Sequence, residues 1–555
     1  MKDRIIIGIV GAGGDGVVTV GELLLKIAQM KGYYGRLSKY YGPQIRGGES
    51  AVKLTILAEN QEGFIEDDLD ILVCFSQAQL VKFKEELSVN SQTKIFDEEF
   101  LKSFAKISSQ ITGREQSKNL VALGFLLEIL GWREKEILEA LRPGEKLLTD
   151  KNLEAVEAGK TEAEKIQLRI KLPTAYPKET IIIDGNQAIS RGALGAGCRF
   201  ASTYPITPAS EIGEYLSHEL SKIGGCFVQG ESEIASIGMI LGASLAGVKS
   251  MTATSGPGLD LMVEMINLAS SCEISLIIVD AQRVGPSTGI PTKMEQADLA
   301  TVIFSGHGYA PRVVLAPYNF EECYRLTFEA FNISEKYQVP VILLSDQYLS
   351  QTSQITDDFL KKIYLIENRL LPLPEDKNKY LRYKITRDYV SPMALPGMEG
   401  FEWRATGLTH DEAGNPTNSS EWHQKMQEKI TKKLDPLRDR SDLVKIFGPE
   451  KAKIGLISWG SSGEASLGAI KSMGLENKIK VCIPEIIAPI PINAIGQFLK
   501  GLQKLIIVEM NYSGQYRRYL RRYFDFPKKI YPLKRAGGRP WSRKEMVDFF
   551  EEALR

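Results

Sequence analysis

The chain has 555 residues and a mass of 61.7 kDa, with 43% apolar and 25% charged residues. That length predicts three or four domains at ~100–200 residues each, and the composition excludes bulk disorder. Sixty-nine Lys and Arg balance sixty-nine Asp and Glu, so no basic surplus points to nucleic acid as a partner.

The first block runs over residues 1–177. Its opening apolar run, Ile5 to Val10, is too short for a signal-peptide core and reads as a buried strand. No apolar run reaches the ~20 residues that cross a bilayer, so the expectation is a soluble, cytoplasmic protein without membrane contact. The strand enters a glycine turn, Gly11-Ala-Gly13-Gly14-Asp-Gly16, and a helix from Val20 to Met30. Such a turn serves either a phosphate at a helix N-terminus or close helix–strand packing. A dinucleotide site needs an acid ~20 residues further on, and Tyr33 to Lys39 holds none, which disfavours NAD. Gly14-Asp15-Gly16 also imitates the start of the thiamine diphosphate magnesium motif, but the required asparagine is missing because the first in the chain is Asn60. Strands are predicted over Ala51 to Leu57 and Ile71 to Phe75, and apolar helix over Asn119 to Leu130. The lysine-rich end, Glu145 to Lys171, reads as a solvated helix and connector.

The second block, residues 178–360, alternates strand-like runs with helical stretches. The strands are predicted at Phe200–Tyr204, Cys226–Gln229, Lys249–Ala253, Ile274–Asp280, Arg312–Ala316 and Val339–Leu344. This βα alternation predicts a doubly wound parallel sheet, whose ligands lie beyond the carboxyl ends of its strands. Three turns fall on that edge. In Tyr204-Pro-Ile-Thr-Pro-Ala-Ser210 two prolines restrain Thr207, whose hydroxyl both donates and accepts; the alternative is a helix entry capped by Thr207 or Ser210. In Gly230-Glu-Ser-Glu233 a carboxylate starts a small-residue helix, either as an active group or as a dipole-complementing charge. Thr252-Ala-Thr-Ser255-Gly-Pro-Gly258 is the third.

Residues 361–445 are rich in proline, glycine and charge, without a sustained apolar period, and read as a linker or insertion outside any core. Residues 446–555 return to βα patterning at Ile454–Trp459, Lys480–Ile483 and Leu505–Glu509. No two of the six cysteines lie within four residues of each other, and the four histidines are isolated. Zinc, iron–sulfur and Ser-His-Asp signatures are absent, and no metal site is expected on this chain.

Together, YPITPAS, GESEIASIGM, TATSGPG and GPSTGIPTKMEQADL resemble the thiamine diphosphate-dependent 2-oxoacid:ferredoxin oxidoreductases. GAGGDG, YGPQIRGGES and KNLVALG look like their gamma domain, and Val508-Glu-Met-Asn-Tyr-Ser-Gly-Gln515 like the domain that follows the alpha pyrimidine-binding domain. ATGLTHDEAGNPT is similar to fused gamma–alpha chains of the 2-oxoglutarate type. The resemblance implies a multidomain α/β chain: a gamma domain, a pyrimidine-type doubly wound parallel sheet, and a transketolase C-terminal-like α/β domain. It implies that Glu233 is the carboxylate at the pyrimidine N1′, with Glu231 the competing position. Tyr204, Pro205, Ile206 and Ser255 would line the cofactor, Thr207 would reach the reacting carbon, and Lys293 would pair with the 2-oxoacid carboxylate. Arg46 is the candidate for a coenzyme A phosphate. Relatives carry Mg2+, the cofactor diphosphate and one 4Fe–4S cluster on a beta subunit, so the chain is expected to be half of an active site that passes electrons to ferredoxin. Pyruvate or broad 2-oxoacid specificity is the alternative within the class, and a catalytically silent scaffold the alternative outside it.

Overall fold

The computed structural model describes residues 3–42, 48–61, 63–132, 149–176 and 178–555. They form two compact units. The first comprises Met1–Glu62, Glu66–Asp184 and Gln351–Phe359, and the second Gly63–Ile65, Gly185–Ser350 and Leu360–Arg555.

The first unit is built on a seven-stranded mixed sheet, in the order Lys94–Phe96, Ile71–Cys74, Arg4–Gly11, Ser50–Leu57, Tyr34–Tyr41, Ser353–Asp357, Thr180–Ile183. Its last two strands run antiparallel to their neighbours and extend the sheet beyond the chain's first 177 residues. The boundary expected after residue 177 therefore falls at Asp184, and a return segment from residue 351 belongs to this unit as well. The glycine turn leads into the helix Val17–Met30 with Gly16 at φ 68°, a conformation that favours glycine. A β-carbon at Gly16 would stand 2.1 Å from Asn119 Nδ2, so packing also requires the glycine. Asp15 accepts a hydrogen bond from the Ala12 amide (2.8 Å) and pairs with Lys118 (2.9 Å).

The helix Asp150–Glu164 is not a solvated one. Gly124 and Gly159 bring it against the helix Lys118–Ile129 so closely that a β-carbon at either would come within 2 Å of a backbone carbonyl oxygen. Ala155, Val156 and Ala163 are buried in that contact. The charged residues hid a small-residue seam.

The second unit carries two sheets. The larger is ordered Ile486–Ala488, Val313–Leu315, Pro340–Asp346, Leu276–Gln282, Ser250–Thr254, Phe200–Thr203, Cys226–Gln229, all parallel except the first strand. The smaller is ordered Val444–Phe447, Ile479–Pro484, Ile454–Ser458, Lys504–Glu509, Lys529–Lys534, again parallel beyond an antiparallel first strand. The strand Ile486–Ala488 comes from the last block yet pairs with the larger sheet. One apolar cluster runs from Ile278 and Met262 to Trp459 and Tyr516, so the two sheets share a core.

The irregular stretch is also part of that body, contrary to its expected place outside a core. Arg382, Tyr383, Met393, Lys429 and Leu437 are fully buried in it, and residues Ser420–Lys432 form a helix. Charge carries this burial in place of an apolar period. Glu273 accepts from Lys429 (2.5 Å) and Lys433 (2.9 Å), and its backbone carbonyl accepts from Arg382 (2.6 Å). The three cations hold the Glu273 carboxyl well below the usual carboxylate range despite its burial, and burial draws the Lys433 ammonium down to about 8.

Removing one partner of such a network leaves uncompensated buried charge. Glu273→Gln should lower stability by ~3–5 kcal/mol, read as the shift in denaturant midpoint at neutral pH. A shift below ~1 kcal/mol would show that the network contributes no more than a surface ion pair.

Candidate active site

Four turns at the carboxyl edge of the larger sheet interlock. The first follows Phe200–Thr203. Tyr204 and Pro205 are exposed, and Ile206 and Thr207 half-buried. The Thr207 carbonyl accepts from Arg283 Nη1 at 2.8 Å, and buried Asn186 donates to the Pro208 carbonyl at 2.7 Å. The helix Ser210–Glu219 has Ala209 at its cap position and no side-chain cap bond. Neither Thr207 nor Ser210 caps it, and the Thr207 hydroxyl makes no hydrogen bond with the described residues.

The second turn gives the helix Glu233–Leu245 its cap. Ser232 accepts from the Ala235 amide (3.2 Å), which leaves the Glu233 carboxylate out of the capping. Glu233 is 6% exposed, whereas Glu231 is exposed. The Glu233 carboxylate has no hydrogen-bond or ionic partner among the described residues. Its oxygens are not sealed off, so they face open space at the sheet edge, where a partner from outside the chain can meet them.

The third turn supplies the space. A β-carbon at Gly258 would stand 2.1 Å from Thr254 Oγ1 and 2.6–2.7 Å from Glu233 Cγ and Oε1. Ser255 is fully buried ahead of the helix Gly256–Ser271, and its hydroxyl has no partner. Thus Glu233, Ser255 and Thr207 each offer an uncommitted polar group on one sheet edge.

The fourth turn, residues 283–298, carries Lys293. This lysine is half-buried, and its backbone closes a small loop through Val284 (3.0 Å) and Ile290 (3.1 Å). The smaller sheet fixes the far end of the turn. Gln296 is fully buried, donates to the Trp459 carbonyl (3.1 Å) and accepts from Ser462 (2.6 Å) and the Met510 amide (3.1 Å). Asn511 donates to the Gln296 carbonyl (3.2 Å) and Gln515 to the Ala297 carbonyl (2.7 Å).

Beneath these turns lie groups that sequence reasoning missed. Asp280 is fully buried with neither carboxylate oxygen hydrogen-bonded. Burial, then Asp298 and Asp260, push its carboxyl well above the usual range. Burial, then Asp260 and Glu295, push Asp298 up to about 7, with Arg283 opposing. Arg283 itself is drawn down by burial. The missed signal was position, since Asp280 and Arg283 flank the end of a strand already assigned to the ligand edge.

Among the described residues no group of three or more His, Cys, Asp or Glu is arranged to hold a metal. Five cysteines are buried and Cys226 is exposed. Arg46 lies outside the described residues. No described helix is long and apolar enough to cross a membrane.

Residues 191–429 match the family model for the thiamine diphosphate-binding part of pyruvate flavodoxin/ferredoxin oxidoreductases, and residues 6–162 the pyruvate ferredoxin/flavodoxin oxidoreductase model. The 2-oxoacid:ferredoxin oxidoreductase subunit alpha of Saccharolobus solfataricus is 30% identical, across 97% of this chain and 96% of that one. The chain belongs to the 2-oxoacid:ferredoxin oxidoreductase family. The 2-oxoglutarate synthase subunit KorA of Methanothermobacter marburgensis is 36% identical over 65% of this chain and 95% of its own length. The solved 2-oxoglutarate:ferredoxin oxidoreductase of Magnetococcus marinus, which has 2-oxoglutarate, coenzyme A and succinyl-CoA bound, is 33% identical with a TM-score of 0.92 over 100% of both chains. Family membership makes this chain part of an oxidoreductase, and the multidomain α/β architecture is the family's.

The interlocked turns generate two predictions. Gly258 has no positive φ, so Gly258→Ala acts through its contacts with Thr254 Oγ1 and Glu233 rather than through backbone strain. Turnover of the assembled enzyme should fall at least about tenfold while unfolding shifts by less than ~2 kcal/mol; full activity would show that Glu233 has room to spare. The second concerns pH. The Asp298 carboxyl is pushed up to about 7 in the fold against 3.8 for an unperturbed aspartate, so between these values the folded chain keeps a proton that the unfolded chain has released. Stability should fall as pH rises through that window, by up to ~1.4 kcal/mol per pH unit, and Asp298→Asn should flatten the fall. An identical slope in the variant would count against the assignment.

Proposed function

We propose that the chain is the fused gamma–alpha subunit of a cytoplasmic enzyme that decarboxylates 2-oxoglutarate oxidatively, forming succinyl-CoA from coenzyme A and reducing ferredoxin. The observation that carries the reading is Glu233, a buried carboxylate without a partner, held beside a glycine that makes room for it. The full-length likeness to a 2-oxoglutarate enzyme favours that substrate, and pyruvate or another 2-oxoacid is the outcome to test against.

Thiamine diphosphate, when bound, supplies a carbon nucleophile at its thiazolium C2. Glu233 would accept a hydrogen bond from the pyrimidine N1′ and stabilise positive charge there, in a pocket where low polarity strengthens the effect. Ser255 would meet the same ring with its free hydroxyl, and Tyr204 to Ile206 would cover it. Thr207 would donate to the substrate's carbonyl oxygen, its backbone fixed by Arg283. Lys293 would pair with the C1 carboxylate as a single charge without the guanidinium's fork. A beta subunit would hold the diphosphate, Mg2+ and a 4Fe–4S cluster, so the isolated chain should be inactive.

Two substitutions test these roles in the assembled enzyme. Glu233→Gln keeps size and helix position, so assembly should survive while hydrogen–deuterium exchange at the cofactor's C2 slows by orders of magnitude. Wild-type exchange with a small loss of stability would reduce Glu233 to a dipole-complementing charge, worth ~0.3–1 kcal/mol. Lys293→Ala should raise KM for the preferred 2-oxoacid by about tenfold or more, the loss of a charge-assisted bond of ~1.5–3 kcal/mol. An unchanged KM across a panel of 2-oxoacids would remove Lys293 from the substrate site.

A further inference from the structure

The smaller sheet has a second concave feature, on the edge opposite the turns described above. The segment leading into Ile454–Ser458, the start of Ile479–Pro484 and the end of the helix Ile492–Leu499 surround a cavity of about 950 Å³. That is ample for a nucleotide-sized ligand. Four lysines line it, Lys451, Lys453, Lys480 and Lys500, against one carboxylate, Glu450. Lys500 sits just past a helix C-terminus, where its charge answers the helix dipole. The other three have no such explanation.

Lys480 is the informative one. It is only 4% exposed, yet no carboxylate pairs with it. Its one hydrogen bond is a long one, 3.4 Å to the Glu450 carbonyl, and its ammonium lies 5.0 Å from the ring centroid of buried Phe498. An ammonium has three donors to satisfy, and burying a charge without a counter-ion is costly. Burial draws the Lys480 ammonium below its ordinary value; the nearby Glu450 carboxylate opposes the shift and Lys453 adds to it. Lys451 and Lys453 make no ion pair with the described residues. Beside these charges the wall is apolar, from Phe498 and half-exposed Ile446. A buried lysine with no ion pair among the described residues, two exposed lysines at the same opening, only one carboxylate (Glu450) among four ammonium groups and an apolar wall fit a receptor for an anionic ligand.

We propose that this cavity binds a small organic phosphate, with the phosphate on Lys480, Lys451 and Lys453 and the apolar or planar part against Phe498 and Ile446. The parallel strands Ile454–Ser458 and Lys504–Glu509 run from this cavity towards the Trp459 and Met510 contacts that hold Gln296. The site is therefore separate from the candidate active site and joined to it through one short sheet.

Calorimetric titration of the full chain with ADP, with inorganic tripolyphosphate and with a glutamate-rich peptide tests the proposal. ADP should bind saturably with a Kd of ~10–100 μM, and about tenfold more weakly to Lys480→Met, which keeps the side-chain stem and removes the charge. Lys453→Glu should weaken binding comparably. Binding of tripolyphosphate as tight as that of ADP would leave the apolar wall without a role and overturn the organic part of the proposal. Equal ADP affinity in wild type and both variants would place any nucleotide binding elsewhere on the chain. Binding of the peptide alone would make the cavity a protein-docking surface, and no saturable binding of any probe to 5 mM (roughly the upper limit of a specific site) would reject it altogether. Neither lysine belongs to the candidate active site, so 2-oxoacid turnover without added nucleotide should be the same in variants and wild type. A loss of that turnover with unchanged ADP binding would assign Lys480 a structural role.

Discussion

The buried side chain of Gln296 joins the two sheets of the second unit at the point where chemistry is expected. One amide both donates and accepts across the junction, to a carbonyl just after one strand of the smaller sheet and from a hydroxyl on the helix that follows it and an amide just after a second strand. None of these groups could be buried without such partners. The smaller sheet therefore acts on the site without lining it. It holds the turn that carries Lys293, and through Arg283 that turn holds the backbone of Thr207. Asp346 and Ser461, hydrogen-bonded to each other, add a second buried tie between the same sheets.

The turns contrast sharply in how their polar groups are used. Backbone groups and scaffold side chains such as Ser232 and Gln515 are engaged. Glu233, Ser255 and Thr207 are not. A site completed by a cofactor and a second chain would leave such groups open while fixing everything around them, because pre-set donors and acceptors need no reorganisation when the partner arrives. The Asp280 carboxyl fits the same setting, since burial, then Asp298 and Asp260, disfavour its charged form.

Much of the fold was legible from period and punctuation. Six of the seven strands of the larger sheet lie where β-branched runs end in glycine- or proline-rich turns, and the turn motifs marked the ligand edge. What escaped was information held in pairings. Ser353–Asp357 is a short run that joins the first sheet on Tyr34–Tyr41, and Thr180–Ile183 joins it only through Ser353–Asp357. The helix Asp150–Glu164 looked solvated because Gly124 and Gly159 signal close packing only once they face each other. Residues 361–445 looked like a linker because their buried anchors are Lys, Arg and Tyr, which carry no hydrophobic period. At the site, Glu233 could be separated from Glu231 only by burial. Asp280 read as the end of an ordinary strand.

The Glu273 network sets a schedule for the growing polypeptide. Lys429, one of the two lysines paired with its carboxylate, is added 156 residues later, which at ~5–20 residues per second leaves a ribosome roughly 10–30 s in which the acid exists without those lysines. During that interval the larger sheet can collect its strands, but the chain around Cys272 and Glu273 stays wet. Closure waits for the helix Ser420–Lys432 to emerge. A protein ended shortly before that helix would hold nearly all the active-site turns and still leave a carboxylate that cannot be buried, so nascent chains of that length are where chaperone capture or proteolysis should concentrate.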